Sequence, residues 1–162
     1  MKRMGLVFGY VQGMVFLVMA AGLLGGCRVG HRQPATVPGI EGEGHLRNVR
    51  PLTSEGENAE AYFSADSSQL VFQSTHGDMK CDQIFVMNTD GTGRRQISTG
   101  KGRTTCSYFS PDGARIVYAS THLGSDDCPP PPPPPPPYVW RVYEAFDIFS
   151  ANAQGGDLKR LT

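Results

Sequence analysis

The chain has 162 residues, the size of one domain, and 39% of them are hydrophobic. Fifteen basic and fifteen acidic residues give a formal net charge of zero, and they are scattered along the sequence. A nucleic-acid-binding protein ordinarily carries a basic patch, so this charge distribution argues against a nucleic-acid partner.

The first 26 residues have the pattern of an export signal. Lys2 and Arg3 supply a positively charged start, and residues 5–24 are apolar apart from Tyr10 and Gln12. A charged start followed by an apolar run is typical of a signal peptide. We therefore expect residues 1–26 to direct export and not to belong to the fold.

The end of this segment, Leu24-Gly25-Gly26-Cys27, resembles the lipobox of bacterial lipoproteins. The resemblance implies that Cys27 receives a lipid anchor, which holds the rest of the protein on the periplasmic side of the cell envelope. Arg28 differs from the Asp that retains lipoproteins in the inner membrane, so the outer membrane is favoured. An ordinary cleaved signal and an uncleaved anchor helix are the alternatives, because about 20 apolar residues span a bilayer.

Residues 27–45 are predicted to form a flexible tether between the lipid and the fold. The segment is polar, contains Pro34, Pro38 and several glycines, and shows no periodic apolar pattern. Its expected role is to give the fold reach from the membrane.

From residue 46 onward the sequence predicts short strands separated by turns. The strands are rich in β-branched and aromatic residues, and glycine, asparagine and aspartate mark the turns between them. The first predicted unit has strands at 59–64, 69–74, 83–88 and 94–98.

A second unit repeats the first. Tyr62-Phe63-Ser64 recurs 46 residues later as Tyr108-Phe109-Ser110, and Ile84-Phe85 recurs 64 residues later as Ile148-Phe149. A repeat of this period indicates a repeat architecture. The predicted strands of the second unit are 106–110, 114–120, 146–151 and 158–162.

The change of period comes from an insertion of 18 residues in the second unit. We place it within residues 123–144, where the unbroken run Pro129–Pro137 lies. Such a run adopts an extended polyproline II conformation. We interpret it as a loop expansion, with a docking ligand for an aromatic groove as the alternative.

The predicted fold class is all-β, with β-propeller blades of four antiparallel strands at 54–98 and 99–162 inside a partial propeller, 46–162. A single four-stranded sheet cannot bury both of its faces, so such blades stack on one another. Residues 47–53 align with residues 157–162 and are predicted to form one extra strand, the fourth strand of a preceding blade.

The stretch from Ser110 to Tyr118, Ser-Pro-Asp-Gly-Ala-Arg-Ile-Val-Tyr, resembles the propeller repeat of the TolB family, and is similar to the propeller domains of prolyl-oligopeptidase-type peptidases. The resemblance covers residues 47–162. Family members stack about six blades around a central channel. The resemblance therefore implies an N-terminal fragment of a roughly six-bladed propeller, with assembly from several copies as the alternative.

No catalytic signature is present in the sequence. There is no Gly-x-Ser-x-Gly elbow, no phosphate-binding loop and no His-Glu-x-x-His motif. We predict a non-catalytic protein-interaction module of the cell envelope that needs no cofactor and binds an unidentified envelope protein. The alternatives are the propeller portion of a secreted peptidase and a metal-binding or ligand-binding envelope module.

The loops between the second and third predicted strands suggest one candidate metal site. They bring His76, Asp78, His122 and Asp126 to the same face of the blades. Imidazole and carboxylate groups suit divalent metals. Their spacing matches no closed zinc pattern, so local hydrogen bonding at the strand ends is the alternative.

Three cysteines remain beyond the lipid-anchor position: Cys81, Cys106 and Cys128. In an oxidising compartment we expect two of them to pair and one to be left over. We predict that Cys106 is bridged to Cys81 or Cys128, because it opens a strand on the face where the other two lie in loops.

Overall fold

In the part of the chain that it describes, a computed structural model of the protein has eight short strands in two four-stranded sheets. The first sheet contains β1 (Glu57–Phe63), β2 (Gln69–Thr75), β3 (Gln83–Asn88) and β4 (Arg95–Gln96). The second sheet contains β5 (Thr104–Phe109), β6 (Arg115–Ser120), β7 (Asp147–Asn152) and β8 (Lys159–Arg160). The predicted all-β fold with four antiparallel strands in each blade is confirmed.

The structure describes residues 36–39, 41–130 and 142–162, all of which belong to one compact unit, Pro34–Thr162. The predicted signal segment, Cys27 and most of the proline run lie outside the described residues. Within the described part there is no helix, and hence none long and apolar enough to cross a membrane.

Each sheet is a meander in which every strand pairs antiparallel with the next strand along the chain. The registers match between the blades: Phe72 lies opposite Phe85 in the first sheet, and Tyr118 lies opposite Phe149 in the second. Side chains alternate between the two faces of a strand. Equivalent residues of the two blades therefore lie on equivalent faces.

The turn between the first two strands is built in the same way in both blades. Ser64 Oγ donates to the carboxylate of Asp66 at 2.6 Å, and Ser110 Oγ donates to that of Asp112 at 2.5 Å. Together with donors from Ser68, the Ser64 hydroxyl lowers the pKa of Asp66 to about 2. The same kind of bond lowers the pKa of Asp112. The turns thus depend on ionised aspartates.

The main hydrophobic core lies between the two sheets, where one face of the first blade meets one face of the second. Its buried residues are Val71, Ile84, Val86, Ile97, Ile116, Tyr118, Phe149 and Ala151. Burying an aliphatic or aromatic side chain of this size stabilises a protein by about 1.5–3 kcal/mol. Contact between the blades therefore supplies much of the stabilisation that neither sheet has alone.

The other face of the first sheet is covered in part by the chain that precedes β1. A second cluster on this face contains Leu70, Phe72, Phe85 and Met87, with Leu52 and Met79 packed against it. Residues 47–53, predicted as an extra strand, form no strand. A strand needs a neighbour to pair with. This segment lies against the face of the first sheet, and no described strand lies beside it.

A tyrosine hydroxyl is buried in the core between the sheets. Tyr118 is 1% exposed, and its hydroxyl has no hydrogen-bond partner among the described residues. This burial raises the pKa of Tyr118 to about 12. In the first blade the equivalent residue is Phe72, which fills the same position without a hydroxyl.

Tyr118→Phe is therefore expected to raise the free energy of unfolding by about 1 kcal/mol, because an unsatisfied buried polar group costs about 1–3 kcal/mol and the ring is kept. Urea unfolding followed by circular dichroism measures the change. The reverse substitution in the first blade, Phe72→Tyr, is expected to destabilise the protein. A Tyr118→Phe variant less stable than the parent would contradict this assignment.

Candidate functional site

A cleft of about 540 Å³, here called the loop cleft, lies where loops of the two blades meet. One wall is the loop between β2 and β3, and the other combines the turn before β5 with residues that follow β6. The lining residues are His76, Gly77, Asp78, Met79, Lys80, Cys81, Gln83, Gly100, Gly102, Asp126, Asp127 and Cys128. Loops held on a rigid scaffold are common positions for binding residues, so this cleft is the candidate functional site.

Gln83 fixes the two walls relative to each other. Its Nε2 donates to the carbonyl of Gly102 at 2.8 Å, and its Oε1 accepts from Ser98 Oγ at 2.7 Å and from Gly100 N at 3.1 Å. Gln83 is 3% exposed. Because both ends of this buried amide are satisfied, breaking either contact would leave a buried polar group unpaired. The amide therefore holds the cleft walls in place.

A glycine at the entry to the first strand of each blade lets the chain pass close to the end of the second strand. Gly56 and Gly102 hold equivalent positions with φ of 68° and 58°. A Cβ at Gly102 would lie 2.7 Å from Thr121 Oγ1, and one at Gly56 would lie 2.2 Å from the carbonyl oxygen of Thr75. Both the backbone conformation and the space require glycine at these positions.

A disulfide closes one end of the loop cleft and joins the two blades. It links Cys81 to Cys128, 47 residues apart, and leaves Cys106 as an exposed free thiol. The prediction that Cys106 is bridged is therefore wrong. Cys106 does not open its strand: it follows Thr104 and Thr105 in β5, whereas the other two cysteines lie in loops that face each other.

Cys128→Ser is expected to lower the free energy of unfolding by about 2–4 kcal/mol, because a cross-link over a long loop restricts the unfolded chain. Urea unfolding without reductant measures this loss. Cys106→Ser is the matched control and is expected to change stability by less than about 0.5 kcal/mol. Non-reducing peptide mapping that found Cys106 in the disulfide would contradict the assignment.

The two predicted histidine ligands take part in the internal structure of the blades. His76 Nδ1 lies 3.0 Å from Ser74 Oγ, and its ring centroid lies 5.0 Å from that of Phe85. His122 repeats the arrangement: its Nδ1 lies 2.8 Å from Ser120 Oγ, and its ring centroid lies 4.3 Å from that of Phe149. In each Ser-Thr-His sequence, the histidine thus makes local contacts at the end of the second strand of its blade.

The structure does not assemble the predicted metal site. His76, Asp78 and Asp126 line the loop cleft, but His122 does not. Asp126 instead forms an ion pair with Lys101 at 2.8 Å. Among the described residues, no group of three His, Cys, Asp or Glu side chains could hold a metal ion.

The half-buried position of His122 is expected to make the stability of the blades depend on pH. Burial lowers its pKa and Lys101 lowers it further, while Asp126 and Asp147 partly oppose the shift. Because the folded pKa lies below the unfolded value of about 6.5, the unfolded chain binds more protons in mild acid. The stability that this residue contributes is present above the unfolded pKa and is lost as pH falls below it.

His122→Gln is therefore expected to reduce the loss of stability between pH 7.5 and pH 5.5, since glutamine does not titrate. The measurement is the shift of the urea midpoint between these two pH values in the parent and in the variant. An equal shift in both proteins would show that His122 does not contribute to the pH dependence.

The first strand of each sheet carries a β-bulge at the same position. The pairing register of β1 with β2 shifts between Ala59 and Tyr62. The register of β5 with β6 shifts between the equivalent residues, Thr105 and Tyr108. Glu60 and Cys106 are equivalent residues here, with φ of 51° and 53°. Non-glycine residues with such backbone angles, and bulges themselves, are often found at functional positions. The sequence gives no sign of them, because neither residue is a glycine or an asparagine.

The bulges bring two tyrosines and the free thiol close together. The rings of Tyr62 and Tyr108 have centroids 4.2 Å apart, and a hydrogen bond between the two side chains, which favours the neutral Tyr62 hydroxyl, raises the pKa of Tyr62 to about 12. Burial also raises the pKa of the Cys106 thiol, and Glu60 adds to this effect. Because the thiolate is the reactive form, Cys106 is a poor nucleophile at neutral pH.

The fold has a counterpart among solved structures. It is similar to the structure of TolB from Agrobacterium tumefaciens, with a TM-score of 0.50 and 20% sequence identity. The match covers 70% of this chain and 36% of that chain, so the protein spans about a third of the length of TolB. No family model and no curated protein matches the sequence. The likeness shows a TolB-like fold, in agreement with the propeller blades predicted from the repeat.

Proposed function

We propose that the protein is an exported lipoprotein whose propeller blades act as a non-catalytic protein-interaction module in the cell envelope. The observation that carries this proposal is the Cys81–Cys128 disulfide, which joins two TolB-like blades beside the loop cleft. Structural disulfides persist in oxidising compartments such as the periplasm. The lipobox-like sequence at Cys27 supports the same location and supplies the anchor, with the outer membrane as the proposed site.

The loop cleft is the proposed contact surface for a protein partner. It combines the acidic side chains of Asp78, Asp126 and Asp127 with Lys80, and the exposed Lys101–Asp126 ion pair lies at its edge. Side chains of both signs on rigid loops suit a polar protein surface, since complementary charges select a partner and orient it. The disulfide and Gln83 keep this surface preformed, which reduces the entropic cost of binding.

Lipid attachment is tested by producing the full chain in a Gram-negative host with an alkyne-labelled fatty acid. The expected result is a labelled protein in the outer-membrane fraction whose N-terminal peptide begins at a diacylglyceryl Cys27. Cys27→Ser is expected to remove the label, whereas Cys106→Ser, the matched thiol control, keeps it. An unlabelled parent, or a labelled Cys27→Ser variant, would rule out the anchor.

The interaction surface is tested with a photo-reactive amino acid placed at Asp78 in the full chain within the producing cell. A discrete cross-linked envelope protein is expected from this position. Glu144 is an exposed acidic residue before β7, lies outside the loop cleft and serves as the matched control position. Identical cross-linked products from both positions, or no product from Asp78, would contradict the proposed surface. In a separate assay, hydrolysis of peptides by the purified protein would contradict the proposed non-catalytic role.

A further inference from the structure

The loop cleft is acidic, although the chain as a whole is neutral. The charged side chains that line it are three carboxylates, those of Asp78, Asp126 and Asp127, against one ammonium group, that of Lys80. The complete sequence has 15 basic and 15 acidic residues. A concave surface on which one sign of charge predominates concentrates the electric field between its walls. The cleft therefore attracts cationic groups.

Two of the three carboxylates lie on opposite walls and have no cation of their own. Asp126 pairs with Lys101 at 2.8 Å. Within residues 36–39, 41–130 and 142–162, neither Asp78 nor Asp127 forms an ion pair. Asp78 belongs to the loop between β2 and β3, whereas Asp127 belongs to the segment that follows β6. A cationic ligand in the cleft thus meets an available negative charge on either side.

Beneath these exposed carboxylates, the cleft has an apolar lining. Met79 is half-buried and packs against the second cluster, and the disulfide between Cys81 and Cys128 closes one end. Cys81 is only 4% exposed, so its sulfur lies deep in the cleft. An apolar interior below an acidic edge matches a long side chain that has an aliphatic stem and a cationic end.

We propose that the loop cleft binds an arginine side chain of a partner protein, an inference that rests on the protein-interaction function proposed above. The guanidinium group is planar, is always charged and has several N–H donors, so it can bond carboxylates on two sides at once. A lysine ammonium is a compact charge that lacks this planar fork. A metal ion is a poor occupant, because no three potential ligands among the described residues could hold one.

The size and the backbone of the cleft suit an arginine within an extended segment. Its volume of about 540 Å³ lies within the range of about 300–1,000 Å³ that is typical of ligand sites. Gly77 lines the cleft, and a Cβ at this position would meet nothing within 4 Å, so there is room for the backbone of the segment. Lys80, on the same wall, repels a second cation. The partner is therefore expected to present a single arginine and not a basic run.

The test compares short synthetic peptides that carry a photo-reactive diazirine residue next to one central arginine, citrulline or lysine. Citrulline has nearly the shape of arginine but no charge. Each peptide is irradiated with the full chain extracted in detergent, and mass spectrometry locates the labelled residues. The arginine peptide is expected to label both walls of the loop cleft. The yield from the citrulline peptide is expected to be about fivefold lower, as for the loss of an exposed ion pair.

Substitutions in the cleft identify the groups that bind the cation. Asp78→Asn and Asp127→Asn each keep the side-chain shape and remove one charge, and each is expected to lower labelling by the arginine peptide about two- to fivefold. Glu144→Gln is the matched control, since Glu144 is exposed and lies outside the cleft, and it is expected to leave labelling unchanged. Circular dichroism of each variant verifies folding.

Equal labelling by the arginine and citrulline peptides overturns the proposal, and so does stronger labelling by the lysine peptide. Labelling that survives both aspartate substitutions, or that Glu144→Gln reduces equally, overturns it as well. The broader function fails by a different result. Cross-linking from position 78 within the cell tests whether a protein binds at the cleft, whereas the peptide comparison tests which side chain the cleft accepts.

Discussion

The structure depends on one constraint: each four-stranded sheet has two faces with apolar side chains, and a sheet cannot cover its own faces. The first blade meets this constraint on both sides. Val71, Ile84 and Val86 are covered by the second blade, and the cluster around Phe72 is covered by the segment that contains Leu52. Among the described residues, the second blade has a sheet against one of its faces, the face that meets the first blade. Stacking of the sheets is therefore a main source of the fold's stability.

Apolar burial alone would let one sheet slide over the other, so polar contacts define how the blades are aligned. Gln73 Oε1 accepts from Thr105 Oγ1 at 2.6 Å and from Cys106 N at 3.2 Å across the interface. Arg95 and Gln83 make directional bonds to carbonyl groups of the segments they contact. These bonds lie on different sides of the core. Together they leave one relative position in which all of the groups are satisfied.

The repeat predicted the fold well because equivalent residues face equivalent surroundings. The strand positions, the shared turns and the stacking of blades follow from the 46-residue echo and from alternation along each strand. The turn in the first blade shows how strong this constraint is: Ser67 adopts φ of 59° where the second blade has Gly113 at 69°. A serine in this conformation is strained. The tertiary context imposes it although the local sequence lacks the glycine.

The site was less predictable because its arrangement depends on positions within the fold that the sequence does not reveal. The bulge in β5 and its distance from the loops decide that Cys106 stays free, and neither is visible in the sequence. The histidines were correctly placed at the strand ends, yet local contacts with serine and phenylalanine satisfy them. The loop cleft has walls from both blades. Its shape is therefore set by the same stacking that builds the core, and a partner bound at this proposed surface would contact both blades at once.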